Sequence, residues 1–356
     1  MKYKTILITG GAGFVGSNLA VSLKNKYPKL KVMALDNLKR RGSELNILRL
    51  KEEGIGFIHA DIRCPEDLKI AAKIDLLIEC SAEPSVLAGF RQDPGYLVNT
   101  NLHGAINCFE LARAQKSDII FLSTSRVYAY QALNSLKIKE LDTRFVWEPG
   151  QKTRGWSEQG ISTEFTIDGP KTLYGATKLS AEILLQEYLS RFGLKGVINR
   201  LGVIAGPWQF GKADQGVFTF WLLAHYFKKE LNYIGFGGKG KQVRDLLHVE
   251  DLFELIDLEI NSLDKISGRT YNAGGGRQVS LSLLEATEEC SRLTGNRIKT
   301  GRVLKERPGD IGIYLTDNRK VSEDLGWKPK RSALKALSDT YRWIRTYEKL
   351  LRQSLF

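Results

Sequence analysis

The chain has 356 residues, 42% hydrophobic and 26% charged, the balance of a soluble globular protein able to bury a large core as one α/β unit or two lobes. Its four scattered cysteines, Cys64, Cys80, Cys108 and Cys290, form no C-x-x-C pair, and its four histidines form no paired motif, so neither a disulfide framework nor a metal site is expected and a reducing compartment is. The net charge of +13 admits an anionic partner, but Lys and Arg are spread along the chain without a zinc-finger or aromatic RNA-binding pattern, which excludes nucleic acid and leaves an anionic small molecule or a basic surface.

The opening MKYKTILITGGAG has an apolar run too short for a signal-peptide core and reads as the first strand of a cytoplasmic protein. No stretch approaches the roughly 18 to 20 apolar residues that span a bilayer. Residues 4–10 (KTILITG) are expected as a strand, followed by a helix through SNLAVSLKNK and a strand over 31–36. Further strands fall at 55–61, 74–80 and 118–124, with helical stretches such as NLHGAINCFELARAQ between them, and another at 194–201. Strands alternating with helices, and apolar on both faces, imply a doubly wound parallel sheet. Over 129–170 the rhythm stops at a polar, Trp-bearing insertion of the kind that forms lids. From about 201 onward Gly-rich turns alternate with helices, as in a smaller lobe. HVEDLFELIDLEI (248–260) reads as an amphipathic helix and RTYNAGG (269–275) as a strand and turn.

TGGAGFVG (9–16) joins the first strand to the first helix and spaces Gly10, Gly13 and Gly16 as G-x-x-G-x-x-G. Such a turn lets a pyrophosphate approach the helix N-terminus where a Cβ would collide. Asp36 follows Gly16 by 20 residues, at the end of the second strand. A carboxylate there accepts hydrogen bonds from ribose hydroxyls and repels a 2′-phosphate, favouring NAD over NADP. The basic run Lys39-Arg40-Arg41 speaks the other way, since such residues can hold a phosphate.

TGGAGFVG, Asp36, STSRVY (123–128) and YGATK (174–178), taken in order, resemble the extended short-chain dehydrogenase/reductases, in particular the nucleotide-sugar epimerases, over nearly the whole chain. The resemblance implies a Rossmann-type doubly wound parallel sheet with a smaller C-terminal substrate-binding lobe. It places an NAD-binding domain at 1–200, with 129–170 as a lid-like insertion and 243–274 returning to it, and a substrate lobe at 201–356. It also implies a homodimer or homotetramer, paired through helices near 96–115 and 174–192. For the cofactor it implies Gly10, Gly13, Phe14, Val15, Gly16, Asp36, Asn37, Asp61 and Ile62. Cys80, Ser81, Ala82 and Asn101 complete that set near the nicotinamide.

For catalysis the resemblance implies Thr124, Tyr174 and Lys178. The chemistry is reasonable on its own terms: hydride leaves a secondary carbinol only if the O–H proton leaves too. A tyrosine with an ordinary pKa near about 10 is a poor base unless a cation stabilises its phenolate. Lys178 lies one helical turn after Tyr174 on the same face and can also hydrogen-bond the nicotinamide ribose. Thr124 ends a sheet strand, where open α/β sheets bind ligands.

Dehydratases of this kind carry Asp-Glu directly after the threonine; Ser125 and Arg126 stand here and cannot serve as that acid and base. KQVRDLLH (241–248) and RPGDIG (307–312) resemble segments that grip a substrate diphosphate, giving Arg244, Arg307 and Asp310. WQFGKADQG (208–216), KQVRDLLH and DGPKTLYGATKLSAE resemble the CDP-paratose 2-epimerase subgroup, which adds Gln209, Phe210 and Gln215 as substrate contacts and a CDP-sugar as substrate. Trp208 replaces an Arg frequent in that subgroup, which puts the choice of base in doubt, and Ala129 replaces the usual Gly. Glu83 and Ser85, in SAEPSV (81–86), are expected at the sugar beside Ser125 and Arg126.

Overall fold

The computed structural model describes residues 2–90, 93–211 and 215–355. In chain order the strands are β1 (Thr5–Thr9), β2 (Lys31–Asp36), β3 (Gly56–His59), β4 (Leu76–Glu79) and β5 (Asp118–Thr124). Two hairpins follow, β6–β7 (Ile138–Glu140 with Phe145–Trp147) and β8–β9 (Trp156–Ser157 with Gly160–Ile161). Then come β10 (Gly196–Leu201), β11 (Val203–Ala205), β12 (Leu231–Ile234) and β13 (Val243–His248). The last are β14 (Thr270–Ala273), β15 (Ser280–Ser282), β16 (Thr300–Val303) and β17 (Ile313–Tyr314).

The main sheet has seven strands in the order β14-β10-β5-β4-β1-β2-β3, every pair parallel. Its strands bury both faces: Ile6, Leu7 and Ile8 of β1 are wholly enclosed. Helices Phe14–Lys26 and Val249–Ile266 cover one face through Leu19, Leu23, Leu255 and Ile260. Helices Gly104–Gln115 and Leu173–Phe192 cover the other through Phe109, Leu185 and Leu189. The strand order reverses between β1 and β4, and it is at such a switch that the crevice for a ligand opens.

A second, smaller sheet is built on β13, which runs parallel to β11 and β17 and antiparallel to β15. Helices Val217–Tyr226, Leu283–Thr294 and Ala333–Thr346 pack over it around Trp221, Leu222, Leu337 and Trp343. Ser282 and Glu285 start the middle helix with a reciprocal capping box. The chain returns to the main sheet with helix Val249–Ile266 and β14, while β13 stays with the small sheet. The 129–170 segment forms a short helix (Tyr130–Asn134) and the two hairpins, braced on the lobe by Arg144–Glu285 and by the Ile161–Thr316 bridge. Among the described residues no helix is long and apolar enough to cross a membrane.

Candidate active site

β1 ends at Thr9 and the chain turns at Gly10, whose φ of 62° lies in the left-handed region. A Cβ there would lie 3.0 Å from the Cys80 carbonyl, and one on Gly16 would lie 2.2 Å from the Gly10 oxygen, so both glycines serve backbone packing at the switch point. Gly13 differs. It caps the first helix with an ordinary φ of −71°, and a Cβ would meet only the Gly10 oxygen, at 3.1 Å. No side chain caps this helix, so its amino end offers N–H groups and a positive dipole to an anion. The space kept open at Gly13 and the uncapped helix fit a dinucleotide pyrophosphate.

A cavity of about 350 Å³ opens here, lined by Gly10, Gly13, Phe14, Val15, Gly16, Asp36, Asn37, Ile62, Cys80, Ser81, Ala82 and Glu83. The Asp36 carboxylate accepts from the N–H groups of Ala12 (3.1 Å) and Leu38 (2.8 Å). Burial pushes its pKa up, and these backbone bonds oppose the rise. Three expected contacts serve behind the cavity wall. Asp61 is chelated by Arg63 and accepts from Asn37 (2.9 Å), which holds its pKa down to about 2. Asn101 exchanges two hydrogen bonds with the Glu83 backbone, at 2.7 and 3.0 Å, and Ser85 donates its N–H to the Glu83 carboxylate at 3.2 Å. Tyr96, which the sequence did not single out, lines the cavity with Lys39 and Arg63 against its ring.

The reacting groups meet where β5 runs out. Thr124 Oγ1 accepts from the Arg126 N–H at 3.2 Å, and the Thr124 side chain stands beside the Tyr174 hydroxyl. Helix Leu173–Phe192 starts at Thr172, whose hydroxyl accepts from Gly175 N–H at 3.4 Å. A Cβ on Gly175 would lie 2.0 Å from the Arg126 carbonyl oxygen; glycine lets the first turn lie flat on residues 125–126 and delivers Tyr174 to Thr124. Burial pushes the Tyr174 pKa up; the Thr124 side chain and the Arg126 guanidinium pull it down, and Glu79 and Glu83 push it up again. Lys178 is buried one turn on, its Nζ 4.0 Å from the centre of the Phe121 ring and 3.4 Å from Glu79 Oε2. Nothing in the sequence reading involved Glu79, although a glutamate ending the apolar run Leu-Leu-Ile is a visible signal.

A second cavity of about 330 Å³ adjoins the first and shares Phe14, Val15, Cys80, Ala82, Gln209 and Gln215 with it. Thr124, Ser125, Arg126, Tyr174 and Lys178 line it together with Arg244, Arg307 and Asp310. Arg244 Nη2 donates to Asp310 Oδ1 at 3.0 Å, and burial lowers the guanidinium pKa to about 10 against that pairing. Arg126 Nη1 donates to the Gly309 carbonyl at 3.2 Å. Phe210 lines the nucleotide cavity alone, whereas Gln209 and Gln215 face both. Residues 212–214 of the 208–216 stretch lie outside the described residues. Trp208 is outside both linings and packs on Arg49 and Tyr347. Among the described residues no group of three His, Cys, Asp or Glu side chains could hold a metal ion.

Residues 6–274 match the family described as the NAD dependent epimerase/dehydratase family. The chain is 32% identical over 346 residues to the CDP-paratose 2-epimerase of Salmonella typhi, covering 95% of this chain and 98% of that one. It is 26% identical over 348 residues to a dTDP-glucose 4,6-dehydratase of Streptomyces niveus, covering 96% and 92%. The crystal structure of UDP-glucuronic acid 4-epimerase from Bacillus cereus, in complex with UDP-glucuronic acid and NAD, superposes with a TM-score of 0.78 at 25% identity, covering 96% of this chain and 99% of that one. With the family matched over most of its length and the glycine turn, Tyr174 and Lys178 converging on one crevice, the chain belongs to the NAD dependent epimerase/dehydratase family.

Proposed function

We infer that the protein inverts one secondary carbinol of a nucleotide-diphosphate sugar, through a transient ketone and with NAD retained throughout. The observation that carries this reading is that Thr124, Tyr174 and Lys178 together line the cavity that adjoins the nucleotide cavity at Phe14, Val15, Cys80 and Ala82. NAD seated on the glycine turn supplies the hydride acceptor and, in the return step, the donor. Tyr174 takes the hydroxyl proton while Thr124 orients the same oxygen. Arg244 and Arg307 hold the diphosphate, so the keto sugar stays tethered while its other face turns inward. Tyr174 then returns the proton. Ser125 and Arg126 supply neither the acid nor the base that eliminating water needs, which sets dehydration aside.

The identity to a CDP-paratose 2-epimerase supports a CDP-sugar and inversion at C2. One observation favours a second reading, a UDP-sugar 4-epimerase acting on an acidic sugar. Arg126 sets a guanidinium beside Tyr174, at the sugar end of the cavity, where a carboxylate next to the reacting carbon would pair with it. Incubation with CDP-, UDP-, GDP- and dTDP-sugars, uronates included, with product stereochemistry read by NMR, tests both. A 2-epimer of a CDP-sugar supports the first, a 4-epimer of a UDP-uronate the second, and a dehydrated product overturns both. Tyr174→Phe should lower turnover by about 10²–10⁴-fold with nucleotide-sugar affinity near normal; unchanged turnover would remove Tyr174 from the reaction.

A further inference from the structure

Strand β4 reads Leu-Leu-Ile-Glu, and all four side chains are wholly buried. The first three are core. The fourth is a carboxylate for which the reaction described above has no use. Burying a carboxylate is costly unless it is paired, and an apolar residue would end the strand without that penalty. Glu79 Oε2 sits 3.4 Å from Lys178 Nζ, and Oε1 has no hydrogen-bond partner among the described residues; Lys178 and Ser81 beside the carboxylate oppose the rise in pKa that burial causes. The ammonium is equally enclosed, at 2% exposure.

The charges around Tyr174 give this pair a task. Arg126 and Lys178 bring two cations to the site, and Glu79 and Glu83 bring two carboxylates. The leading cationic influence on the phenol is Arg126, while Lys178 is bound to Glu79. The remaining polar groups facing the pair are Cys80 beside it, Cys108 from helix Gly104–Gln115, Thr9 at the end of β1, and Ser81. Burial keeps both thiols neutral, so they add no charge. A phenol surrounded by uncompensated cations would lose its proton far below working pH and take one up weakly, whereas each turnover needs Tyr174 both to accept and to return it.

We propose that Glu79 is a positioning residue of this site: its carboxylate fixes the Lys178 ammonium against the end of the sheet and limits how much of that charge reaches Tyr174. The proposal rests on Tyr174 as the proton-transfer group. It is tested without any sugar, so its failure is distinguishable from failure of the substrate reading.

The experiment is an ultraviolet titration of phenolate in the NAD-loaded protein, taken as a difference against the same protein carrying Tyr174→Phe. In Glu79→Gln the Tyr174 phenolate should form at lower pH than in the wild type. In a Lys178→Met background, adding Glu79→Gln should move the titration clearly less, leaving only the direct effect of the carboxylate on the phenol. With a turned-over substrate, the acid limb of the kcat profile should move the same way while the apparent KM stays within about twofold. The double variant holds no buried pair, so it keeps the test open where Glu79→Gln alone does not fold. A Glu79→Gln titration superimposing on the wild type would reduce Glu79 to packing. A shift of undiminished size in the Lys178→Met background would show that Glu79 does not act through the lysine. Either result overturns the proposal.

Discussion

Arg40, in the loop after β2, donates from Nη2 to the carbonyl oxygen of Phe210, 2.7 Å away and 170 residues along the chain. The same guanidinium bonds the Gln215 side chain. Both acceptors, like Arg40 itself, line the nucleotide cavity, so Arg40 ties the lobe to the nucleotide half at that cavity. Arg40→Ala should therefore release NAD faster on dialysis, by about tenfold for the loss of a charged hydrogen bond. Turnover at saturating NAD should stay within about threefold. Release at the wild-type rate, followed by the absorbance of the dialysed protein, would dismiss the tie.

The glycine turn makes a paired prediction. Gly16→Ala drives a methyl group into the Gly10 carbonyl and should cost about 1–3 kcal/mol of stability, read as a fall in Tm. Gly13→Ala meets far less protein and keeps an allowed φ, so the fold should survive nearly intact. Its methyl occupies the space left for the pyrophosphate. The variant should purify with little bound NAD, as calorimetric titration with NAD would report.

Arg244 and Asp310 form an ion pair in the lining of the substrate cavity. Arg244→Ala removes a diphosphate contact and should raise the apparent KM about tenfold or more with kcat within about threefold. Asp310→Asn leaves a buried guanidinium without its counter-charge, so its first effect should be on thermal stability. A fall in kcat alone for Arg244→Ala would move this residue from binding to chemistry.

Glu259 lies wholly buried in helix Val249–Ile266, with the Asn199 amide as its hydrogen-bond donor at 2.9 Å, and burial pushes its pKa up to about 8. The folded state thus holds a proton that the unfolded chain releases near about pH 4.3. Stability from this group is complete below that pH and is lost as pH rises through about 8. The loss should amount to up to about 5 kcal/mol across the window. Glu259→Gln should flatten it, as urea unfolding at pH 5 and pH 8 would measure; an unchanged slope would assign the pH dependence elsewhere.

Much of this architecture could be read before any coordinates, because local pattern and global fold agree in the nucleotide half. The run KTILITG, the glycines after it and Asp36 are contiguous signals, and they land at β1, the switch point and the end of β2. The Tyr174–Lys178 spacing likewise needs only a helix. What escaped the reading depends on partners far apart in sequence. Glu79 meets Lys178 across 99 residues, and Arg40 meets Gln215 across 175. No periodicity encodes such pairs. The 129–170 stretch was legible as a break in rhythm, but its hairpins are held by Arg144 and Ile161 on lobe residues that arrive more than a hundred positions later.

The excursion of the chain after β10 has a practical consequence. It leaves the main sheet to build the small one, comes back as helix Val249–Ile266 and β14, and leaves again for β15. A fragment ending at residue 200 would bare Ile6, Ile8 and Ile78, which Leu252, Leu255 and Ile260 shield. The two halves should therefore not be separable by proteolysis or by cloning. Swapping lobes between relatives to exchange sugar preference would have to carry over two discontinuous segments at once.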